Sequence, residues 1–175
     1  MQQPTIFILG TDHGFQTKST RFPDAKHAEF TDFITQIIRT NGIAAICEEN
    51  HPDALAEHNL LESVPELIAK SLQLKHLHCD PNLQERALLG IRQEASIRLQ
   101  NWPEMIQEED VIAQIREANC LRETYWLQKV SELNVWPILF ICGATHVESL
   151  TQLATKHAKY PVLLAADWEI GRAHV

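Results

Sequence analysis

Two segments of like spacing, Gly10-Thr11-Asp12-His13 and Gly143-Ala144-Thr145-His146, put an imidazole three residues after a glycine at opposite ends of a 175-residue chain. Histidine changes charge near neutral pH and is the commonest metal ligand, so a matched pair points to proton or metal chemistry. Each segment follows an apolar run, Thr5 to Leu9 or Ile138 to Cys142, of the kind that forms a fully buried strand. Open parallel sheets bind ligands outside the carboxyl ends of their strands, so both rings are expected in one crevice.

Acids close the other apolar runs. Glu48 and Glu49 follow a second strand expected over 43–47, Asp80 ends a third over 74–79, and Asp167 follows a fifth over 161–166. The pleat turns adjacent residues to opposite faces, so only one of Glu48 and Glu49 readily joins the histidines. Glu48, nearer the buried strand, is the expected metal ligand, and Glu49 is left as a candidate base. His13, His146 and one glutamate form a two-histidine, one-carboxylate set, which suits Zn²⁺ with an open position, or Fe²⁺ or Mn²⁺. His76, His78 and Asp80 also share a strand face by period two, the spacing of a metal comb, but a face covered by helices more often leaves such histidines as edge or hydrogen-bonded core residues.

A long helix expected over 108–132 carries Ile112, Ile115, Asn119, Arg122, Trp126 and Val130 along one stripe. A guanidinium on an apolar face costs free energy unless it is partnered, so Arg122 either pairs with Glu48 or Asp80 or points into the cleft, where it would steady developing negative charge. Asn119, Asp12 and Asp80 are the expected substrate contacts. Asp80 has a rival reading as a helix N-cap ahead of Pro81, and Thr145 with Glu148 fits a capping box that would put His146 in a first helical turn. Cys142 beside Gly143 reads as an inert buried thiol rather than a nucleophile.

The elements that must position these groups alternate between strand and helix. Further helices are expected over 24–40, 65–72, 81–100 and 145–156, with a non-periodic polar loop over 15–23. This pattern argues for an α/β fold, one domain over 1–175 with a largely parallel central sheet flanked by helices on both faces. An apolar content of 45% can fill such a core, and no linker-like stretch divides the chain. The net charge of −8 and scattered Lys and Arg argue against nucleic acid as a partner. No membrane partner is expected either, because no apolar stretch approaches the roughly 18 residues of a membrane span. With no signal-peptide pattern and no C-x-x-C pair, a cytoplasmic protein with free thiols is expected. The G-x-S-x-G, P-loop, G-x-G-x-x-G and H-E-x-x-H motifs are all missing from the sequence, so serine hydrolase, NTPase and dinucleotide readings lose their usual support.

The strand ending in Gly10-Thr11-Asp12-His13, the glutamate closing the second strand, Arg122 within Leu121-Arg122-Glu123-Thr124-Tyr125-Trp126, and Ile141-Cys142-Gly143-Ala144-Thr145-His146-Val147 together resemble the TraB/Tiki group, which is related to ChaN-like and erythromycin-esterase-like proteins. The motifs cover nearly the whole chain. The resemblance implies an α/β fold whose two histidines, glutamate and arginine line one pocket. Tiki proteins are regarded as metal-dependent proteases, ChaN-like relatives bind haem, and many bacterial TraB-like members have no settled activity.

The sequence therefore leads to the expectation of a metal-dependent hydrolase, peptidase- or esterase-like, acting on a small-molecule or peptide substrate. Its ion would lower the pKa of bound water. The rival is a non-catalytic binding protein for haem or a small anion using the same histidines and Arg122, and a third reading has Arg122 locked in a buried ion pair. Oligomeric state is not deducible from the chain.

Overall fold

The computed structural model describes residues 3–102 and 107–168. Five apolar runs form the strands β1 (Thr5–Thr11), β2 (Ala45–Glu48), β3 (Lys75–His78), β4 (Ile138–Gly143) and β5 (Tyr160–Ala165), all parallel in the order β3-β2-β4-β1-β5. Every residue of β4, and of β2, is buried, as continuous apolar runs require when helices cover both faces of a parallel sheet.

Between the strands, among the described residues, run the helices α1 (His13–Gln16), α2 (Asp24–Asn41), α3 (Pro52–Glu57), α4 (Val64–Ser71), α5 (Leu83–Leu89), α6 (Glu94–Asn101), α7 (Glu108–Leu133) and α8 (Val147–Lys156). On one face Ile6, Ile8, Cys47, Ile138 and Phe140 pack against Trp126, Leu127 and Val130 of α7 and Val147 and Leu150 of α8. On the other, Leu9, Ile46, Leu139 and Ile141 meet Phe15 of α1, Phe30 and Ile34 of α2, and Ile68 of α4. The α/β architecture with a parallel sheet and helices on both faces is thus as the alternation implied. No helix among the described residues is long and apolar enough to cross a membrane.

Several local expectations are corrected. The polar stretch 15–23 opens within α1, and Phe15 is fully buried, stacked on Phe22 with ring centroids 4.1 Å apart and edge-on to Trp168 at 5.0 Å. The helix expected over 81–100 is two, because Gly90 at φ +69° caps α5 in the left-handed region. Asp80 is not the N-cap of α5. That role belongs to Asn82, whose side chain accepts from Glu85 N while the Glu85 carboxylate accepts from Asn82 N. The Thr145 capping box does not form: Ala144–His146 make a 3₁₀ turn, and His146 caps α8 without a side-chain bond. Trp102 is the C-cap of α6, and Pro103, whose residue type interrupts a helix, lies outside the described residues.

The glycines of the two matched segments are fixed by close approach. A Cβ on Gly10 would lie 2.0 Å from the carbonyl oxygen of Ala166, where the chain leaving β5 crosses β1 and Trp168 N donates to Gly10 O at 2.9 Å. A Cβ on Gly143 would come within 3.1 Å of His13 Nε2 and 3.4 Å of Glu49 Oε2. The second glycine therefore makes room for the first histidine.

Candidate functional site

His13 follows β1 and His146 follows β4, and these strands are neighbours paired Thr11 to Gly143, so the two imidazoles stand side by side at one edge of the sheet. Between them lies Glu49. The ladder continues one residue past β2, with Glu49 N donating to Ile141 O at 2.8 Å, so the pleat still holds there and turns Glu48 and Glu49 to opposite faces. Glu49 Oε1 is 3.6 Å from His13 Nε2 and 3.5 Å from His146 Nε2, while Oε2 accepts from Gly143 N at 2.7 Å. The carboxylate beside the histidines is thus Glu49, and the expected grouping of His13, Glu48 and His146 as metal ligands is corrected, because Glu48 faces α1 and α4 behind the sheet.

Each histidine is held from behind. His13 Nδ1 lies 2.8 Å from Gln16 Oε1, and His146 Nδ1 lies 2.7 Å from Glu123 Oε1. An amide oxygen or a carboxylate only accepts, so a neutral ring carries its proton on Nδ1 and turns the Nε2 lone pair towards Glu49. Glu123 also accepts from Ser149 Oγ at 2.7 Å. It is buried on α7, one turn before Trp126 and Leu127, and sequence reasoning missed it although Glu123, Trp126, Leu127 and Val130 keep helical spacing.

Arg122 enters from α7 and closes the group. Its Nη1 donates to Glu49 Oε1 at 2.7 Å and lies 3.4 Å from His146 Nε2, its Nε donates to Asp80 Oδ1 at 2.5 Å, and the guanidinium stacks 5.0 Å above Trp126. Burial opposes the charge on Arg122, yet Glu49 and Asp80 beside it hold it more firmly protonated than usual. Asp80 also takes Arg86 Nη2 at 2.5 Å and Trp126 Nε1 at 3.1 Å. Burial pushes its carboxyl up, but Arg122 and Arg86 together hold it below its ordinary range. A carboxyl lowered by folding stabilises the protein above its unfolded value and loses that contribution as pH falls through the folded one. The acid limb of a pH–stability curve is therefore expected to extend below the ordinary value of 3.8, and Asp80→Asn is expected to flatten that limb, read as urea midpoints between about pH 6 and 2.

The remaining expected residues are dispersed. Asp12 caps α1 by accepting from Gly14 N at 2.7 Å and is ion-paired with Arg21. With Thr11, His13, Arg21, Gly143, Ala144, Thr145 and Asp167 it lines a cleft of about 440 Å³. Asn119 lies instead in a neighbouring depression with Arg116, Glu148 and Gln152, joined to the cleft only by the shared Thr145. Asp80, partly buried in its ion pairs, lines a separate cavity of about 150 Å³ with Pro81, Asn82 and Arg86. Burial, with Glu49 and Glu123 nearby, pushes the Cys142 thiol well up, so Cys142 stays protonated. Cys47 and Cys79 are also buried free thiols, and Cys120 is exposed.

Behind the sheet lies a second group. Glu48 accepts from Gln16 Nε2 at 2.9 Å and from Ser63 Oγ, the N-cap of α4, and its Oε1 is 2.8 Å from His76 Nε2 and 3.4 Å from His78 Nδ1. His78 Nε2 lies 3.3 Å from Glu66 Oε2, and burial pushes its pKa down despite Glu48 and Glu66. Among the described residues, Glu48, His76 and His78 are the group whose ligand atoms all lie within 4.8 Å of one another, and they could hold a metal ion. The period-two comb on β3 thus gathers with Glu48 through its two histidines, while Asp80 turns away to Arg122. Gln16 joins the two groups, with its oxygen at His13 and its nitrogen at Glu48.

No family model, curated protein or solved structure matches the chain, so its functional reading rests on this geometry.

Proposed function

We propose that this protein is a hydrolase of small ester or peptide substrates, with its reaction centre at His13, Glu49, Arg122 and His146. One observation carries the reading: two imidazoles held at Nδ1 turn their Nε2 atoms on one buried carboxylate oxygen, 3.6 and 3.5 Å away, and one of them, His13, lines the cleft. His13 is the exposed member, 55% open at its side chain, and so is the group that meets substrate and water. Its Nε2 takes the proton from a water that attacks the acyl carbon and returns it to the departing alcohol or amine as the scissile C–O or C–N bond breaks. Gln16 holds the opposite nitrogen, and Glu49 stabilises the imidazolium that forms. Arg122, kept charged by its two carboxylates, adds positive potential behind Glu49 where negative charge develops on the substrate oxygen.

Zinc, manganese or iron would suit two imidazoles and a carboxylate. In this arrangement, however, the cation on Glu49 Oε1 is the Arg122 guanidinium, and the three donors are not gathered into one shell. Arg122 therefore supplies the positive charge beside Glu49. The resemblance to the TraB/Tiki group supports the choice of the same two histidines. The charged side chains Asp12, Arg21 and Asp167 that line the cleft favour a small polar substrate over haem.

The test is hydrolysis of a panel of p-nitrophenyl esters and fluorogenic peptides, with and without prior chelation. His13→Ala is expected to lower kcat/KM by about 10²–10⁴ with an unchanged melting temperature, since the ring is exposed, and Glu49→Gln to lower it comparably. Hydrolysis no faster than buffer across the panel, or full activity in His13→Ala, would sink the proposal.

A further inference from the structure

Three strand-end carboxylates stand at this edge, Glu48 and Glu49 buried and Asp80 partly so, and two of the three have a permanent cation. Glu49 has Arg122, and Asp80 has Arg122 and Arg86. Glu48 is 0% exposed and, among the described residues, has no Lys or Arg within ion-pair reach. Its neighbours are an amide, a hydroxyl and two imidazoles. An isolated buried carboxylate is costly, and what approaches it here is a pair of metal-ligating rings.

We infer that Glu48, His76 and His78 form a divalent transition-metal site, with Glu48 Oε1, His76 Nε2 and His78 Nδ1 as ligands. The strand register brings them together: β2 and β3 pair Glu48 with His78 and Ile46 with His76, so the acid and both rings share the face under α4. His78 Nδ1 is buried and makes no hydrogen bond, although it lies 3.4 Å from Glu48 Oε1. Its other nitrogen faces Glu66, which Lys70 holds at 2.9 Å, giving the carboxylate–histidine support that fixes a ligand's tautomer. On binding, the ion takes the place of the proton between His76 Nε2 and Glu48 Oε1, and the neutral His76 ring then carries its proton on Nδ1. Two nitrogens and one carboxylate oxygen select zinc, iron(II) or manganese over calcium or magnesium. The site stands independently of the proposed hydrolase, which uses other side chains.

The experiment takes the chelator-treated full chain and titrates it with Zn²⁺ by calorimetry and with Co²⁺ by visible absorption. Nitrogen-15 NMR of the imidazoles follows the same additions. One ion is expected with a Kd tighter than about 10 µM, retained in His13→Ala and His146→Ala, weakened about 10-fold by Glu66→Gln, and lost in His78→Ala and Glu48→Gln. If those last two variants do not fold, the wild-type NMR decides, because the rings that shift on Zn²⁺ addition must be His76 and His78. The inference is overturned if no ion binds in that range, if other rings shift, or if binding survives in His78→Ala. Loss of binding in His13→Ala alone would move the ion to the cleft, and would overturn this site while leaving the hydrolase to be judged by its own assay.

Discussion

Replacing Arg122 with alanine is expected to cost about 3–5 kcal/mol of stability, the range for breaking a buried ion pair and leaving charge behind. Two carboxylates lose their partner at once. Glu49 loses the Nη1 contact at 2.7 Å and keeps only Gly143 N and the imidazoles, while Asp80 loses the Nε bond but retains Arg86. The stacking on Trp126 goes as well. Arg122→Lys keeps the charge on a single ammonium, which cannot serve both carboxylates in the forked manner of a guanidinium, so an intermediate loss is expected. Urea unfolding at pH 7 measures both variants. An Arg122→Ala midpoint matching wild type would mean that the two pairs add nothing net to the fold.

Trp126→Ala is the second large effect, about 3–5 kcal/mol for a fully buried aromatic in a face that cannot collapse around the void. Its ring packs 5.5 Å from Phe140 and edge-on to His146 at 4.9 Å, so the same residue fills the core and walls the site. Trp126→Phe separates the two duties. It keeps most of the packing and removes the Nε1 donor to Asp80, and is expected to cost about 1–3 kcal/mol. Thermal melts of the two variants check the difference, and equal losses would show that the hydrogen bond, not the volume, dominates.

The sheet and its site edge were legible because short continuous apolar runs alternating with amphipathic helices have few uses other than buried parallel strands, and each run here is followed by an acid or a histidine. What could not be read locally was set by neighbours. Glu48 and Glu49 differ only in parity, and parity is decided by whether the ladder persists, which depends on Ile141 almost a hundred residues away. Proximity to the apolar run favoured Glu48, yet burial behind the sheet is the reason that residue faces away from the histidines. Glu123 was hidden among the many charges of α7, although its place one turn before Trp126 was a usable signal. Asp80-Pro81 resembles a helix start, but Asn82 and Glu85 offer two reciprocal bonds against one, and the helix begins there. Gln16 and Ser63 carried no signal, since their roles arise only when α1 and α4 close over Glu48.

The strand order has a consequence for how the molecule comes into being. β4 lies between β1 and β2, yet starts 90 residues after the end of β2 and 127 after the end of β1, so the residues up to α7 leave those two strands without a common neighbour. Until β4 slots in, His13 and Glu49 have no reason to be close, Gly143 N cannot reach the glutamate, and the inner edges of β1 and β2 are open to pairing with other chains. A chain that stops short of β4 thus leaves those two edges unpaired, and the arrival of that one strand is a keystone event that closes them and brings His13, Glu49 and His146 together.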